Sequence, residues 1–162
     1  MDTWARVQRD GGGDLMRAAK ASKPQRRQLR DNTFIKYDVL VDIHAHRRNC
    51  RPEFESRSLY GQLQYILVCP LPAHRKLTYP NEQPQAQTLL LAAVRQCNTT
   101  VDAKTSIPHY TDPLAALEVI DLGSIQAVVG RIWNRKRWAI LDRSGELARA
   151  QYVVGGSEGD ME

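Results

Sequence analysis

The chain lacks the features that mark secreted, membrane and disulfide-stabilised proteins. It has three cysteines, an odd number, and no Cys-x-x-Cys pair, so a reducing compartment fits better than a disulfide scaffold. No apolar run approaches the about 20 residues that a membrane-spanning helix needs. The N-terminal residues also lack the apolar segment of a secretory signal. We therefore expect an intracellular protein with no membrane contact.

The motifs of common catalytic sites are missing as well. Gly123-Ser124 does not belong to a Gly-x-Ser-x-Gly elbow, and residues 142–145 (DRSG) have the residue preferences of a turn. The glycines of RDGGGD (9–14) are not followed by Gly-Lys-Ser/Thr, so they form no phosphate-binding loop. Cys69 and Cys97 lie in apolar segments, where a thiol behaves as a small hydrophobic group. The sequence predicts a protein that is not an enzyme and needs no cofactor.

Positive charge is present, but it is unevenly distributed. The chain of 162 residues fits one domain and carries a net charge of +5. Uneven basic charge permits contact with nucleic acid or another polyanion, while solubility is the alternative explanation. One segment without acidic residues, 19–30, holds Lys20, Lys23, Arg26, Arg27 and Arg30, and a second, 46–51, holds Arg47, Arg48 and Arg51.

Several segments have the composition of β-strands. Residues 34–43 are rich in β-branched and aromatic side chains, and residues 58–71 alternate between apolar and polar positions. TLLLAAVRQC (88–97) fits either a helix or a buried strand, and its strand-like neighbours favour the strand. We expect two strands in 117–133, interrupted near Asp121 to Ser124, and further strands at 137–142 and 146–154. This pattern predicts a small β-barrel or sandwich of about six to eight strands, with long loops at 72–87 and 98–116.

The composition also suggests three regions along the chain. Residues 1–31 form a basic N-terminal hairpin or arm and a linker, although LMRAAKA (15–21) fits a helical turn equally well. Residues 32–154 form the β-domain. The acidic, glycine-rich residues 155–162 are expected to be disordered.

The segment RIWNRKRW (131–138) places basic residues between two tryptophans. If residues 134–137 form an even-length hairpin connection, Trp133 and Trp138 lie directly opposite each other and stabilise the sheet as a cross-strand pair. The basic residues Arg135, Lys136 and Arg137 then occupy the tip. A solvated turn is the favoured interpretation, and phosphate contact by the three cations comes second. The tryptophans are expected in the core or at its rim rather than as base-stacking platforms.

DIHAH (42–46) is the one candidate metal site. On an extended strand His44 and His46 project to the same side, where two imidazoles can chelate a metal ion, with Cys50, His74 or His109 as a further ligand. Catalytic zinc normally has three defined protein ligands, and hydrolases that begin with His-x-His on a strand use a barrel of about 250 residues. A structural or incidental role is therefore favoured, and a small metal-dependent hydrolase stays an alternative.

Five segments, in this order, resemble the region downstream of the transposase core in CACTA-like (En/Spm-type) transposon proteins, most closely their fungal versions. The shared features are a Tyr-Gly pair opening a strand (Tyr60-Gly61), an apolar strand ending in Cys97, and a strand pair closing on Trp138. The segments are TWARVQRDGGGDLMRAA (3–19), FIKYDVLVDIHAHRR (34–48), FESRSLYGQLQYIL (54–67), LLLAAVRQCNT (89–99) and EVIDLGSIQAVVGRIWNRKRWAILDRSGELARA (118–150).

The resemblance implies an accessory module rather than a competent transposase. In such proteins the catalytic carboxylates belong to an upstream RNase H-like domain, whose motifs this chain does not contain, and no catalytic residues carry over. Small chromatin-associated barrels such as bromo-adjacent homology (BAH) domains are a fold-level analogy. We therefore expect a nuclear, non-catalytic β-module that binds DNA or chromatin. The alternative is a protein-interaction module that receives a peptide at an exposed strand edge or in a barrel groove.

Overall fold

The structure is a computed structural model, and it describes residues 2–8, 13–21, 31–72 and 87–144. These residues contain twelve strands and one short 3-10 helix at Leu122–Ser124, so the predicted mainly β fold is confirmed. The strands are β1 (Asp2–Trp4), β2 (Arg6–Val7), β3 (Met16–Arg17), β4 (Phe34–Asp42), β5 (Phe54–Leu71), β6 (Gln87–Gln96), β7 (Thr100–Val101), β8 (Pro108–Tyr110), β9 (Leu117–Asp121), β10 (Ile125–Val128), β11 (Gly130–Asn134) and β12 (Arg137–Leu141). The number exceeds the expected six to eight because β1, β2, β3, β7 and β8 are only two or three residues long.

The strands form two main sheets. The first has the order β10-β4-β5-β6-β9, with β1 pairing to the far end of β5. The second has the order β11-β12-β8-β7, and β2 pairs with β3 as a separate hairpin. The sheets are not closed into a barrel, so of the two predicted architectures the sandwich is the one that fits.

Two apolar clusters hold these layers together, one on each face of the first sheet. On one face Ile35, Tyr37, Leu63 and Ile66 pack with residues of the β2–β3 hairpin, including Met16. On the other face the second sheet packs against the first through Phe34, Cys97, Tyr110, Val129 and Ile140. Because β4 contributes alternate residues to the two clusters, Phe34 faces one core while Ile35 faces the other.

The N-terminal segment forms a hairpin. This was one of the two predictions, the other being a helical turn at residues 15–21. Arg6 pairs with Arg17, and Val7 pairs with Met16. The hairpin is attached to the body of the protein, because the backbone N–H of Ala19 donates to Leu63 O at 2.8 Å. The predicted region boundaries at residues 31 and 154 stay predictions.

Most of the predicted strands are present, with shifted ends. Segment 88–97 is a strand, β6, as preferred over a helix, and it lies between β5 and β9 with its small residues Ala92 and Ala93 buried. β5 begins at Phe54, four residues before its predicted start, because β4 continues to pair with it that far. Segment 117–133 contains three strands instead of two, since the backbone breaks at Val129 as well as at the 3-10 helix. The long loop predicted for 98–116 contains β7 and β8.

Other predicted features lie outside the described residues. These are the strand at 146–154, most of the 72–87 loop and the acidic tail 155–162. Among the helices of the described residues, none has the length and apolar character that a membrane crossing requires.

Candidate nucleic-acid interface

The β11–β12 hairpin ends in a two-residue turn made by Arg135 and Lys136. Asn134 and Arg137, which were predicted to belong to the connection, are paired strand residues instead. Both turn residues have positive φ, 46° for Arg135 and 68° for Lys136. This is the geometry of a type I′ turn, whose twist matches that of the flanking strands. Both side chains are exposed.

The two tryptophans of this hairpin lie directly opposite each other, as predicted. Their ring centroids are 4.9 Å apart and the ring planes meet at 63°, an edge-to-face arrangement. The Trp138 indole Nε1 donates to Asp112 Oδ2 at 3.2 Å, which fixes the orientation of this ring. Trp138 packs at the edge of the second core, whereas Trp133 is 55% exposed. Trp138 thus lies at the rim of the core, as predicted, whereas Trp133 belongs to neither core cluster.

Arg131 connects the tryptophan pair to the core. Its guanidinium lies over the Phe34 ring, 3.7 Å from the centroid, and over the Trp138 ring, 4.3 Å from the centroid. It also donates to Tyr110 Oη at 2.8 Å and to Asp31 Oδ2 at 3.0 Å. Burial raises the pKa of Tyr110 to about 12, although Arg131 acts in the opposite direction. The tyrosine is thus a neutral acceptor for the guanidinium.

The three predicted basic residues of the tip have different surroundings. Arg137 is ion-paired with Asp102, Nη2 to Oδ2 at 3.3 Å, so much of its charge is balanced within the protein. The backbone N–H groups of Lys104 and Thr105 donate to Asp102 and lower the pKa of its carboxyl group, which keeps it ionised. No carboxylate of the described residues lies within 4.0 Å of the cationic groups of Arg135 or Lys136. These two are the tip residues free to contact an anion.

Of the five predicted basic residues in the N-terminal arm, the structure describes only Lys20. Lys20 is exposed at the end of the N-terminal hairpin, and its backbone N–H donates to Gln64 O at 3.1 Å. Lys23, Arg26, Arg27 and Arg30 lie outside the described residues.

A second basic loop was not among the predicted contact residues. The loop between β4 and β5 carries Arg47, Arg48 and Arg51, all of them exposed. Asp42 shapes its base, because Asp42 Oδ1 accepts the backbone N–H groups of His44 at 2.9 Å and of Glu53 at 3.1 Å. The signal for this surface was in the sequence, as the acid-free segment HRRNCR (46–51).

His44 and His46 of the candidate metal site lie in a turn rather than on a strand. β4 ends at Asp42 and residues 43–46 form a turn, so His44 and His46 do not lie on an extended strand as that hypothesis required. His44 Nε2 lies 3.2 Å from Glu53 Oε2, and Cys50 is an exposed free thiol. Among the described residues no three His, Cys, Asp or Glu side chains are close enough together to hold a metal ion. His109 is buried on β8, and His74 is outside the described residues.

A polar cluster at the end of β12 joins the two sheets. Lys36 Nζ forms an ion pair with Asp142 Oδ2 at 3.0 Å, and Tyr60 Oη donates to the same oxygen at 3.1 Å. Burial acts to raise the pKa of Asp142, but hydrogen bonds from Ser144, Lys36 and Tyr60 outweigh it and lower the pKa to about 2.

This cluster does not activate Ser144 as a nucleophile. The Ser144 hydroxyl donates to Asp142 Oδ1 at 2.6 Å. A carboxylate with a pKa of about 2 is too weak a base to remove a hydroxyl proton near neutral pH. Cys97 is likewise unreactive, because burial raises the pKa of its thiol to about 12. The chemistry of these groups is that of packing and anchoring.

No protein family, curated protein or solved structure matches the chain. The resemblance to CACTA-like transposon proteins accordingly stays a prediction.

Proposed function

We propose that this protein is a non-catalytic module that binds nucleic acid through its phosphates. The observation that carries the proposal is the pair of exposed cations at the β11–β12 turn, Arg135 and Lys136, with no carboxylate of the described residues within 4.0 Å. Their neighbours Arg131 and Arg137 are both ion-paired within the protein. A cation without an internal partner is available to replace the counterions that surround phosphates.

Further basic groups are exposed elsewhere among the described residues. The β4–β5 loop presents Arg47, Arg48 and Arg51, and Lys104 lies beside Asp102, the ion-pair partner of Arg137. Lys20 begins the basic segment that continues, in sequence, with Lys23, Arg26, Arg27 and Arg30. Contacts of this kind position a protein on nucleic acid without reading its sequence.

Salt titration tests the proposal on random-sequence DNA. If about six phosphates are neutralised, the logarithm of affinity falls against the logarithm of salt concentration with a slope of about −5. The double variant Arg135→Asn/Lys136→Gly removes the two tip charges with residues that favour a type I′ turn, and the slope should become shallower by about 2. Arg95→Gln, which removes an exposed charge from β6, is the control and should leave the slope unchanged. Absence of binding at low salt contradicts the proposal.

The resemblance supports a more specific setting for this activity. We place the module in the nucleus, as an accessory part of a transposon-derived protein with DNA or chromatin as its partner. The surrounding open reading frame tests this, because an RNase H-like transposase core should be encoded upstream of residue 1. A reading frame of unrelated content contradicts the transposon origin but does not affect the proposal of nucleic-acid binding.

One observation favours a second candidate function, peptide binding by strand addition. β9 is the last strand of its sheet, and none of the described strands pairs with its outer edge. Leu117 is 47% exposed and Val119 57%, and Val119 lies in one row with Ala93 and Tyr65 across the sheet. A free edge beside apolar side chains can accept an extended peptide through main-chain hydrogen bonds.

A pull-down in the presence of nuclease separates the two functions. A protein partner that persists without nucleic acid and is lost in Val119→Lys supports strand addition. Leu40→Lys is the matched control, since Leu40 is 72% exposed and lies on β4, away from the β9 edge. If both variants retain the partner, β9 is not the binding edge.

A further inference from the structure

Four side chains form a continuous series of contacts that runs from the core to the surface of the β11–β12 hairpin. The Arg131 guanidinium lies between the rings of Phe34 and Trp138, and Trp138 in turn contacts Trp133 at 4.9 Å between centroids. Phe34, at the inner end, is 2% exposed, whereas Trp133, at the outer end, is 55% exposed. This series of contacts therefore begins inside the protein and ends on an aromatic ring that is more than half exposed to solvent.

We propose that Trp133 is a stacking platform for an unpaired base, so that the ligand of this hairpin is single-stranded nucleic acid. This inference rests on the nucleic-acid binding proposed above and names the class of nucleic acid. Within a duplex both faces of a base are covered by neighbouring base pairs. Single strands, loops and ends offer free base faces, and aromatic side chains bind these with little dependence on sequence.

The orientation of Trp133 is set before any ligand binds. Its partner Trp138 is held by the hydrogen bond to Asp112 and by the guanidinium of Arg131, which is itself anchored to Tyr110. Trp133 pairs with Trp138 across a regular antiparallel ladder, so its backbone position is fixed by the same strands. A ring held in this way loses little conformational freedom when a base stacks on it.

The cations of the turn complement the ring. Trp133 lies next to Asn134, the last residue of β11, and Arg135 begins the turn, so one nucleotide can place its base on the indole and its phosphate at the turn. Lys136 offers a second cation at the same turn, and Lys104 lies on the adjoining loop. Single-stranded nucleic-acid sites combine these two elements, a basic track for the backbone and aromatic rings for the bases.

The test compares three ligands of equal length: a single-stranded thymidine oligonucleotide, an abasic oligonucleotide with the same phosphates but no bases, and a duplex. We expect the thymidine strand to bind wild-type protein about tenfold more tightly than the abasic strand, which corresponds to about 1.4 kcal/mol. The thymidine strand should also quench tryptophan fluorescence, and the abasic strand should not. In Trp133→Leu the tenfold preference should disappear while the salt dependence stays the same, because the phosphate contacts remain.

The outcomes separate base stacking on Trp133 from the phosphate binding proposed above. Equal affinity of wild-type protein for the thymidine and abasic strands overturns the base-stacking inference while leaving phosphate binding intact. Failure of wild-type protein to bind any of the three ligands at low salt overturns both. Fluorescence quenching by a proline-rich or other aromatic-binding peptide, with none by the oligonucleotide, also overturns it and assigns the ring to protein recognition.

Two points protect the test against a folding defect. The comparison of thymidine and abasic strands uses the wild-type protein and needs no variant. Trp133→Tyr keeps an aromatic ring opposite Trp138 and should retain most of the preference, because the cross-strand pair that supports the hairpin is preserved.

Discussion

Arg135 and Lys136 both adopt a left-handed backbone conformation, with φ of 46° and 68°, at the centre of the β11–β12 turn. Side chains with a Cβ disfavour this region, and type I′ turns strongly prefer Asn-Gly. The protein therefore keeps two strained, charged residues at a position where uncharged ones form the same turn more readily. Backbone strain of this kind is often found at functional sites.

The first prediction is that Arg135→Asn/Lys136→Gly raises stability. Relief of the two left-handed conformations should increase the free energy of unfolding by about 1–2 kcal/mol. Urea unfolding followed by circular dichroism measures the change, and the same protein should show the weakened salt dependence on DNA. A lower midpoint of unfolding for this variant shows that the turn is not of the inferred type.

The second prediction concerns the close approach of β6 to Gly61. A Cβ at Gly61 would lie 2.6 Å from Val94 Cγ1 and 2.8 Å from the backbone oxygen of Arg95, closer than packed atoms allow. Gly61→Ala should therefore lower the free energy of unfolding by about 2–3 kcal/mol, because the β5–β6 ladder must move apart. Gly130→Ala is the control, since its Cβ would meet Leu141 at an ordinary 3.5 Å. Equal stability of the two variants contradicts the packing seen here.

The Gly61 contact also shows what the sequence could and could not predict. The period-two alternation of β5 and the β-branched composition of β4 were sufficient to predict both strands. Their partners were not predictable, because register depends on contacts between segments far apart in sequence. The resemblance singled out Tyr60-Gly61, and the reason for the glycine is visible only once β6 lies against it.

The candidate site was predictable to a similar extent. The direct opposition of Trp133 and Trp138 follows from the even spacing of a hairpin and was predicted correctly. The position of Arg131 between Phe34 and Trp138 was not predictable, since Phe34 is on another sheet. The prediction of an extended strand through His44 and His46 was wrong for a local reason. Asp42 accepts the N–H of the residue two positions later, which is a turn-forming preference of aspartate that the sequence contained.

The third prediction is a pH dependence that comes from Asp142. Its folded pKa of about 2 lies below the ordinary value of 3.8, so the ionised group stabilises the fold fully above about pH 4, and this contribution is lost as pH falls toward 2. Asp142→Asn should lower the free energy of unfolding by about 1–2 kcal/mol at pH 6, after allowance for partial solvent exposure. The difference from wild type should shrink steadily between pH 4 and pH 2.

Glu55→Gln provides the control for Asp142. Glu55 forms an ion pair with Arg57 in which both side chains are more than half exposed, so its loss should change stability little at any pH. Unfolding by urea at intervals between pH 2 and pH 6 measures all three proteins. If the free energies of unfolding of wild type and Asp142→Asn differ by the same amount throughout this range, the charge of the carboxylate does not contribute to the stability of the Lys36–Asp142–Tyr60 cluster.

The fourth prediction is that Arg131→Lys is not a conservative substitution. A planar guanidinium stacks on two rings and donates to Tyr110 and Asp31 at the same time, and an ammonium group cannot reproduce this geometry. We expect the free energy of unfolding to fall by about 1.5–3 kcal/mol, together with a weaker near-ultraviolet circular dichroism signal from the tryptophan pair. Arg57→Lys changes an exposed ion pair and should lower the free energy of unfolding by less than about 0.5 kcal/mol. If the two variants lose stability equally, the stacked arginine does not hold the hairpin against the core, and the preorganisation of Trp133 has to come from its strands alone.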